Sequence, residues 1–144
     1  MTSGDKGKYA KKHHPATKVD EKVLEAVRVY ATKGEIPCVR AFEIAQKLSV
    51  LPALVGTAAD LLEIKISKCQ LGLFGYGASK KVLKPSLSVD HDLKNAISEG
   101  MVNGRLPCAT AFAIAEKIGI PKMEVSSACE KLNIKISSCQ LGTF

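Results

Sequence analysis

The segment IAEKIGIPKMEVSSA, residues 114–128, divides into two apolar runs separated by Gly119. In both runs the apolar residues recur at the spacing of one helix face. Gly119 permits the positive φ of a sharp turn, and Ala115 is small enough for two helices to cross closely. Ile118 and Val125 then fill the angle between the helices. The segment predicts two short helices joined by a tight turn.

The same pattern occurs 70 residues earlier, in the segment IAQKLSVLPALVGTA. Sliding the sequence against itself by 70 residues aligns 19–74 with 89–144 without a gap, and 23 of the 56 pairs are identical. Copy one departs from the turn pattern only at Ser49, where copy two has Gly119. We therefore expect four segments: a basic tail (1–18), repeat 1 or copy one (19–74), a basic linker (75–88), and repeat 2 or copy two (89–144).

The remaining residues of each copy predict the elements around this helix pair. In copy one, Asp20 is a good N-cap for a first helix and Gly34 fits its end. A short apolar stretch at 35–38 indicates a small strand before the second helix. After the third helix, the alternation at 64–67 predicts a half-buried strand. Copy two repeats these features 70 residues later.

This order of elements and the turn pattern resemble the winged-helix variant of the helix-turn-helix family over both copies. The resemblance implies a mostly α fold with small β-hairpins, built as two tandem three-helix winged-helix-like units. Copy two stops at Phe144, directly after Gly142 and Thr143, so we expect no third wing strand there. An ordinary helical hairpin with incidental spacing is the alternative.

In that family the third helix enters the major groove of DNA and contacts base edges. The corresponding positions here include no Arg, Asn or Gln for bidentate contacts, and Asp60 and Glu130 would face acceptors unfavourably. Copy two offers the better surface for contacts to DNA bases. The resemblance implies these DNA-binding candidates: Thr57, Lys122, Ser126, Ser127 and Lys131.

The positive charge lies outside the repeats. The chain has 21 Lys and Arg against 14 Asp and Glu, which gives +7, yet copy one has seven of each sign and copy two has six of each. The tail carries a net +4, and the linker adds Lys80, Lys81 and Lys84. We expect these lysines to attract DNA phosphates, with plain solvating segments as the alternative.

Five cysteines without an export signal predict reduced thiols in the cytoplasm. If the two strands of each copy pair, their cysteines come close, and four thiolates suit a zinc ion or an iron–sulfur cluster. About 31 residues separate each pair, which is not a diagnostic spacing, so packing in the core is the favoured role. Redox sensing and disulfide formation are further alternatives to metal binding. Cys129 is expected in the core. The alternative metal ligands are Cys38, Cys69, Cys108 and Cys139.

No catalytic or phosphate-loop signature is present, so we expect no enzyme activity and no cofactor. The sequence predicts a small cytoplasmic DNA-binding protein, a transcriptional regulator, with no membrane segment. The alternative is a non-catalytic protein-interaction module that carries a Cys-ligated metal or redox-sensing site and has a protein partner or forms a homodimer. The motif Cys-Gln-Leu-Gly at 69–72 recurs at 139–142 and has no chemical explanation at this level.

Overall fold

The structure, a computed structural model, describes residues 19–77 and 83–144. This part of the chain is mostly helical, with two small sheets of two short strands each. Copy one contains α1 (Glu21–Tyr30), β1 (Glu35–Pro37), α2 (Cys38–Leu48), α3 (Pro52–Leu61) and β2 (Lys65–Ser67). Copy two contains α4 (His91–Gly100), β3 (Leu106–Pro107), α5 (Cys108–Ile118), α6 (Lys122–Lys131) and β4 (Ile136–Ser137).

The first helix of each copy begins at its predicted cap. The Asp20 carboxylate accepts a hydrogen bond from the Lys22 amide at 2.8 Å, and Asp90 caps α4 in the same way. The predicted end is wrong, because α1 stops at Tyr30 rather than near Gly34. Gly34 instead follows Lys33 in a two-residue turn where both have positive φ.

The tight turn between the second and third helices is confirmed in both copies. Three residues separate α2 from α3 and α5 from α6. Ser49 (φ 55°) and Gly119 (φ 83°) both adopt the left-handed conformation that ends the preceding helix. Ala45 and Ala115 are buried at the crossing, as their small size predicts. Copy one therefore makes this turn without glycine.

The predicted strands form, but they pair in parallel. Ile36 of β1 lies opposite Ile66 of β2, and Leu106 of β3 lies opposite Ile136 of β4. The prediction of hairpins between these strands is wrong. The chain passes through two helices between β1 and β2 and returns in the same direction, whereas a hairpin needs a direct reversal. Antiparallel pairing within the described residues is limited to single bridges, such as that in the turn before β1.

Two compact units make up the described chain, and they divide it at points different from the repeat. Unit 1 comprises the described residues up to Cys69 together with Gln140–Thr143. Unit 2 comprises the described part of Gln70–Cys139 together with Phe144. Each copy ends in the motif Cys-Gln-Leu-Gly, at 69–72 and 139–142, which we call the closing motif. Most of the closing motif of each copy belongs to the compact unit that contains the other copy's helices.

Each unit has a small core beneath its first helix. In unit 1 this helix packs on both α2 and α3 and buries Val23 and Val27 completely or nearly so. Ile44 of α2 and Val55 of α3 complete the core, at 1% and 0% exposure. Burial of such side chains is the main stabilising contribution in a domain of this size. Among the described residues, no helix has both the length and the apolar character needed to cross a membrane.

Candidate nucleic-acid interface

In unit 1 the third helix is partly covered by residues of the same unit. A Cβ added at Gly56 of α3 would lie 2.7 Å from the carbonyl carbon of Leu141. Asp60, one turn further along, is 8% exposed. Thr57 is half-buried, and its hydroxyl donates to the Ala53 carbonyl at 3.0 Å. The Thr57 hydroxyl is thus used within its own helix, which weakens it as a base-reading group.

In unit 2 the two lysines of α6 differ in their surroundings. Lys131 is exposed at the end of the helix. Lys122 is half-buried at the start of the helix, and its ammonium lies 5.1 Å from the centre of the Phe112 ring. A cation over an aromatic ring at this distance is held by the ring quadrupole. The Lys122 charge is therefore positioned near the beginning of α6.

The two predicted serines are turned away from solvent to different degrees. Ser126 is 1% exposed, and its hydroxyl has no hydrogen-bond partner among the described residues. A side chain buried to this extent does not reach a base edge, and we remove Ser126 from the interface. Ser127 is half-buried, and its carbonyl accepts a hydrogen bond from the Ser86 amide at 3.1 Å.

The linker follows α6 where it is described. Leu83 is 8% exposed, and the Ser86 amide contacts the helix, so the linker covers part of the predicted reading face. Lys84 lies between these residues and is exposed, which suits contact with a phosphate. Lys80 and Lys81 lie outside the described residues.

The arginines of the first two helices of unit 1 are paired with carboxylates of the same helix. Arg28 lies 3.1 Å from Glu21 and 3.3 Å from Glu25. The hydrogen bond that Arg28 donates to the Glu21 carboxylate is the main reason why the pKa of Arg28 is raised. Arg40 pairs with Glu43 at 2.8 Å. Each of these arginines is therefore partly neutralised by a carboxylate of its own helix.

The repeated cysteines lie next to the paired strands, as predicted, although Cys38 and Cys108 begin helices rather than end strands. The five cysteines, all within the described residues, are thiols that form no disulfide bond, and Cys139 is the least buried. The described residues contain no group of three or more His, Cys, Asp and Glu side chains that could hold a metal ion. The zinc or iron–sulfur interpretation stays a prediction.

The closing motif is the feature that sequence reasoning left unexplained. Leu71 and Leu141 are 1% and 3% exposed, and each belongs to the unit built on the other copy. Gly72 has a left-handed φ of 76°, and a Cβ added there would lie 3.3 Å from the Met123 side chain at the start of α6. The repetition of the motif was the sequence signal for this packing role, because a leucine that recurs in both copies indicates a buried position in each unit.

The outer faces of α3 and α6 thus offer few polar groups to nucleic acid, and the best placed cations are Lys84, Lys122 and Lys131. Compared with protein-family models, with curated proteins and with solved structures, the chain has no match in any of the three.

Proposed function

We propose that this chain is a non-catalytic DNA-binding protein with two helix-turn-helix units, which acts as a small transcriptional regulator. The observation that carries the proposal is a pair of helices joined by a three-residue turn whose first residue is left-handed, and this arrangement is present twice. A first helix packed across such a pair is the arrangement of the three-helix DNA-binding domains. The parallel strands do not support the wing of the winged-helix variant, so the proposal includes the helices alone.

The charge distribution supports binding through phosphates. The folded copies are neutral, while the tail and linker carry the whole surplus of +7. Lysines in such segments neutralise phosphates and release counterions, which contributes affinity without sequence preference. Unit 2 supplies the exposed cations Lys84 and Lys131, and the linker sequence adds Lys80 and Lys81.

The covered third helices favour weak sequence discrimination. Gly56 and Ser126 occupy equivalent positions in the middle of α3 and α6, and both are buried. Residues at this position cannot contact bases without uncovering the helix. Lys122 and Ser127 are then the main candidates for base contacts, and we expect modest preference among sequences.

A duplex titration tests the proposal. The full chain is titrated with a fluorescently labelled duplex of mixed sequence at two salt concentrations, and the slope of log affinity against log salt is measured. We expect tight binding at low salt and a slope of about −0.9 for each phosphate contact. Absence of salt-dependent binding at low ionic strength would overturn the proposal.

A second function, a protein-interaction module, is favoured by an apolar groove in unit 1. The groove has a volume of about 470 Å³ and lies between α1 and α2, with Val29, Ile44 and Leu48 in its wall. Val29 is 67% exposed, so its side chain is accessible to a partner in the groove. If a second copy of the chain occupies this groove, sedimentation will show a dimer that Val29→Asp dissociates.

A further inference from the structure

Besides the apolar groove, unit 1 has a polar cavity at the place where its two parallel strands end. Its volume is about 300 Å³, at the lower end of the range for small-molecule sites. Pro37, the last residue of β1, and Ser67, the last residue of β2, both line it. Arg40 in the first turn of α2 and Lys68 directly after β2 are also in its wall. Ligands of parallel sheets commonly bind outside the carboxyl ends of the strands, and this cavity lies at that end of the sheet.

The Ser67 side chain lies on the face of the sheet that borders the cavity. Ile66 is buried in the core, so the next residue, Ser67, lies on the opposite face. Its neighbour across the sheet, Pro37, lines the cavity on that same face, together with Glu35. Ser67 is 4% exposed, and its Oγ makes no hydrogen bond to the described residues, but unlike the Ser126 hydroxyl it is not sealed from water. Since buried hydroxyls are almost always paired, the partner of Ser67 must enter from the cavity.

The start of α2 adds backbone donors beside the same cavity. The N-cap residue of this helix is Pro37, and no side chain caps its first turn. The first N–H groups of such a helix lack partners within the helix and carry partial positive charge, so the start of the helix favours an anion. The hydroxyl at the end of β2 and the first turn of α2 therefore offer hydrogen-bond donors to one ligand from two directions.

The charged side chains of the wall have an excess of positive charge. Lys68 is exposed and forms no ion pair with the described residues. Arg40 donates one N–H group to Glu43 at 2.8 Å, and a guanidinium has five, so the others remain for a ligand. The lining residues thus supply two cations against one carboxylate, that of Glu35, which is exposed to water. An anion that enters the cavity is therefore attracted by the wall.

Copy two lacks most of this chemistry at the equivalent positions. The cavity of copy one has four further polar or charged lining residues, whose copy-two equivalents are Gly100 for Tyr30, Val102 for Thr32, Thr110 for Arg40 and Ser138 for Lys68. Ser137 keeps the hydroxyl of Ser67, and Arg105 stands in place of Glu35. Both cations at the strand ends therefore belong to copy one alone, and copy two provides an internal control.

We propose that this cavity binds the phosphoryl group of a small phosphate monoester. The phosphoryl oxygens accept hydrogen bonds from the Ser67 hydroxyl and from the first amides of α2, and Lys68 and Arg40 neutralise the charge. A phosphoryl group has three terminal oxygens and nearly two negative charges, which suits donors on several sides and two cations. A carboxylate has only two oxygens and one charge. This inference does not depend on the proposed binding of DNA.

A phosphate of the DNA backbone is a poorer fit for the same cavity. Ser67 is 4% exposed, so a phosphoryl group must enter the cavity to reach its hydroxyl. A monoester has one substituent and can leave it outside, whereas a backbone phosphate is linked to the chain on both sides. Each backbone phosphate also carries a single negative charge. A monoester and a diester therefore distinguish a small ligand from DNA.

Nuclear magnetic resonance of the full chain, labelled with ¹⁵N, tests the proposal at pH 8, where monoesters carry nearly two charges. The probes are inorganic phosphate, methyl phosphate and dimethyl phosphate, with sodium chloride of equal ionic strength as the blank. We expect shifts of the Arg40, Ser67 and Lys68 amides, with affinity for methyl phosphate about tenfold higher than for dimethyl phosphate. The equivalent amides of copy two, those of Ser137 and Ser138 among them, should not shift.

Matched variants separate this site from general charge effects. Lys68→Ser, which introduces the residue of copy two, should weaken methyl phosphate binding by about tenfold. Lys47→Ser removes the same charge from the other end of α2 and should leave binding unchanged. Ser67→Ala should weaken binding by about threefold to tenfold, and Glu35→Gln should strengthen it by about threefold.

Three results would overturn the proposal. The first is the absence of shifts in the cavity amides with inorganic phosphate and methyl phosphate at about 20 mM. The second is dimethyl phosphate binding as tightly as methyl phosphate, which would assign the cavity to a backbone phosphate of DNA. The third is an equal effect of Lys68→Ser and Lys47→Ser, which would show that only the net charge of the protein matters.

Discussion

The backbone carbonyl of Leu141 lies against Gly56, at the place where any larger residue would put its Cβ. Leu141 belongs to the closing motif of copy two, but it packs within unit 1. Gly56 is in the middle of α3, where glycine is normally unfavourable by about 0.5–1 kcal/mol relative to alanine. Close approach of the Leu141 backbone therefore explains why this helix position has no side chain.

Gly56→Ala should destabilise the protein, although the same change in an open helix is stabilising. The added Cβ overlaps the Leu141 carbonyl, and relief requires the backbone to move, which costs about 1–3 kcal/mol. The free energy of unfolding, measured by urea denaturation, checks this result. Ala53→Ser on the exposed side of the same helix is the control and should change stability by less than about 0.5 kcal/mol. A gain in stability for Gly56→Ala would show that Leu141 does not lie on α3.

Leu71→Ala and Leu141→Ala should each lower the free energy of unfolding by about 2–5 kcal/mol. Both side chains are almost completely buried, at 1% and 3% exposure, so truncation leaves a cavity. Leu87, which is 98% exposed in the linker, provides the control. Thermal denaturation followed by circular dichroism measures all three variants. If both motif variants match Leu87→Ala, the closing motif does not contribute to the cores.

Deletion of residues 1–18 should weaken DNA binding and flatten its salt dependence. The deletion removes a net charge of +4, and each lost phosphate contact lowers the salt slope by about 0.9. Any preference among duplex sequences should survive, because tail lysines carry no base information. The measurement is a titration of several duplexes at two salt concentrations. An unchanged slope would place the phosphate contacts elsewhere.

Replacement of Lys122 and Ser127 by alanine should have the opposite signature. These residues are the accessible candidates on α6, so discrimination between duplexes should fall while the salt slope changes by no more than one contact. Lys94→Ala on exposed α4 is a control that removes a cation from a helix not expected to read bases. Loss of affinity that is equal for all duplexes would assign Lys122 to phosphate binding.

The Cys129 thiol should resist alkylation at pH 8 and should make stability dependent on alkaline pH. Burial disfavours the thiolate and raises the pKa of Cys129 from 9.0 to about 11. The folded state thus holds this proton more tightly, so the stabilising contribution is present below pH 9.0 and is lost as the pH approaches about 11.

Mass spectrometry after iodoacetamide treatment measures the alkylation, with the less buried Cys139 as the reference that reacts first. Urea denaturation of the wild type and of Cys129→Ala, which has the residue of copy one, isolates the pH effect. A difference in unfolding free energy that does not change between pH 8 and pH 11 would contradict the raised pKa.

Local features of the fold could be predicted because their causes lie within a few residues. Asp20 caps α1 through an amide two residues away, and Gly119 ends α5 through its own φ. The tandem organisation followed from 23 identities in 56 aligned pairs, which needs no structure at all. The position of Lys122 at the start of the third helix of copy two was predicted for the same reason.

The pairing of distant segments was decided by tertiary structure. Hydrophobic alternation predicted the strand at 64–67 but not its direction, because the side-chain pattern is the same in parallel and antiparallel pairs. The burial of Ser126 could not be read from a helix pattern that places it outside. Leu71 and Leu141 could be recognised as apolar, but their cores are chosen by packing between residues far apart in the chain. Hydrophobic periodicity predicts which residues are buried. The residues that cover them are determined by the tertiary structure, because they come from distant parts of the chain.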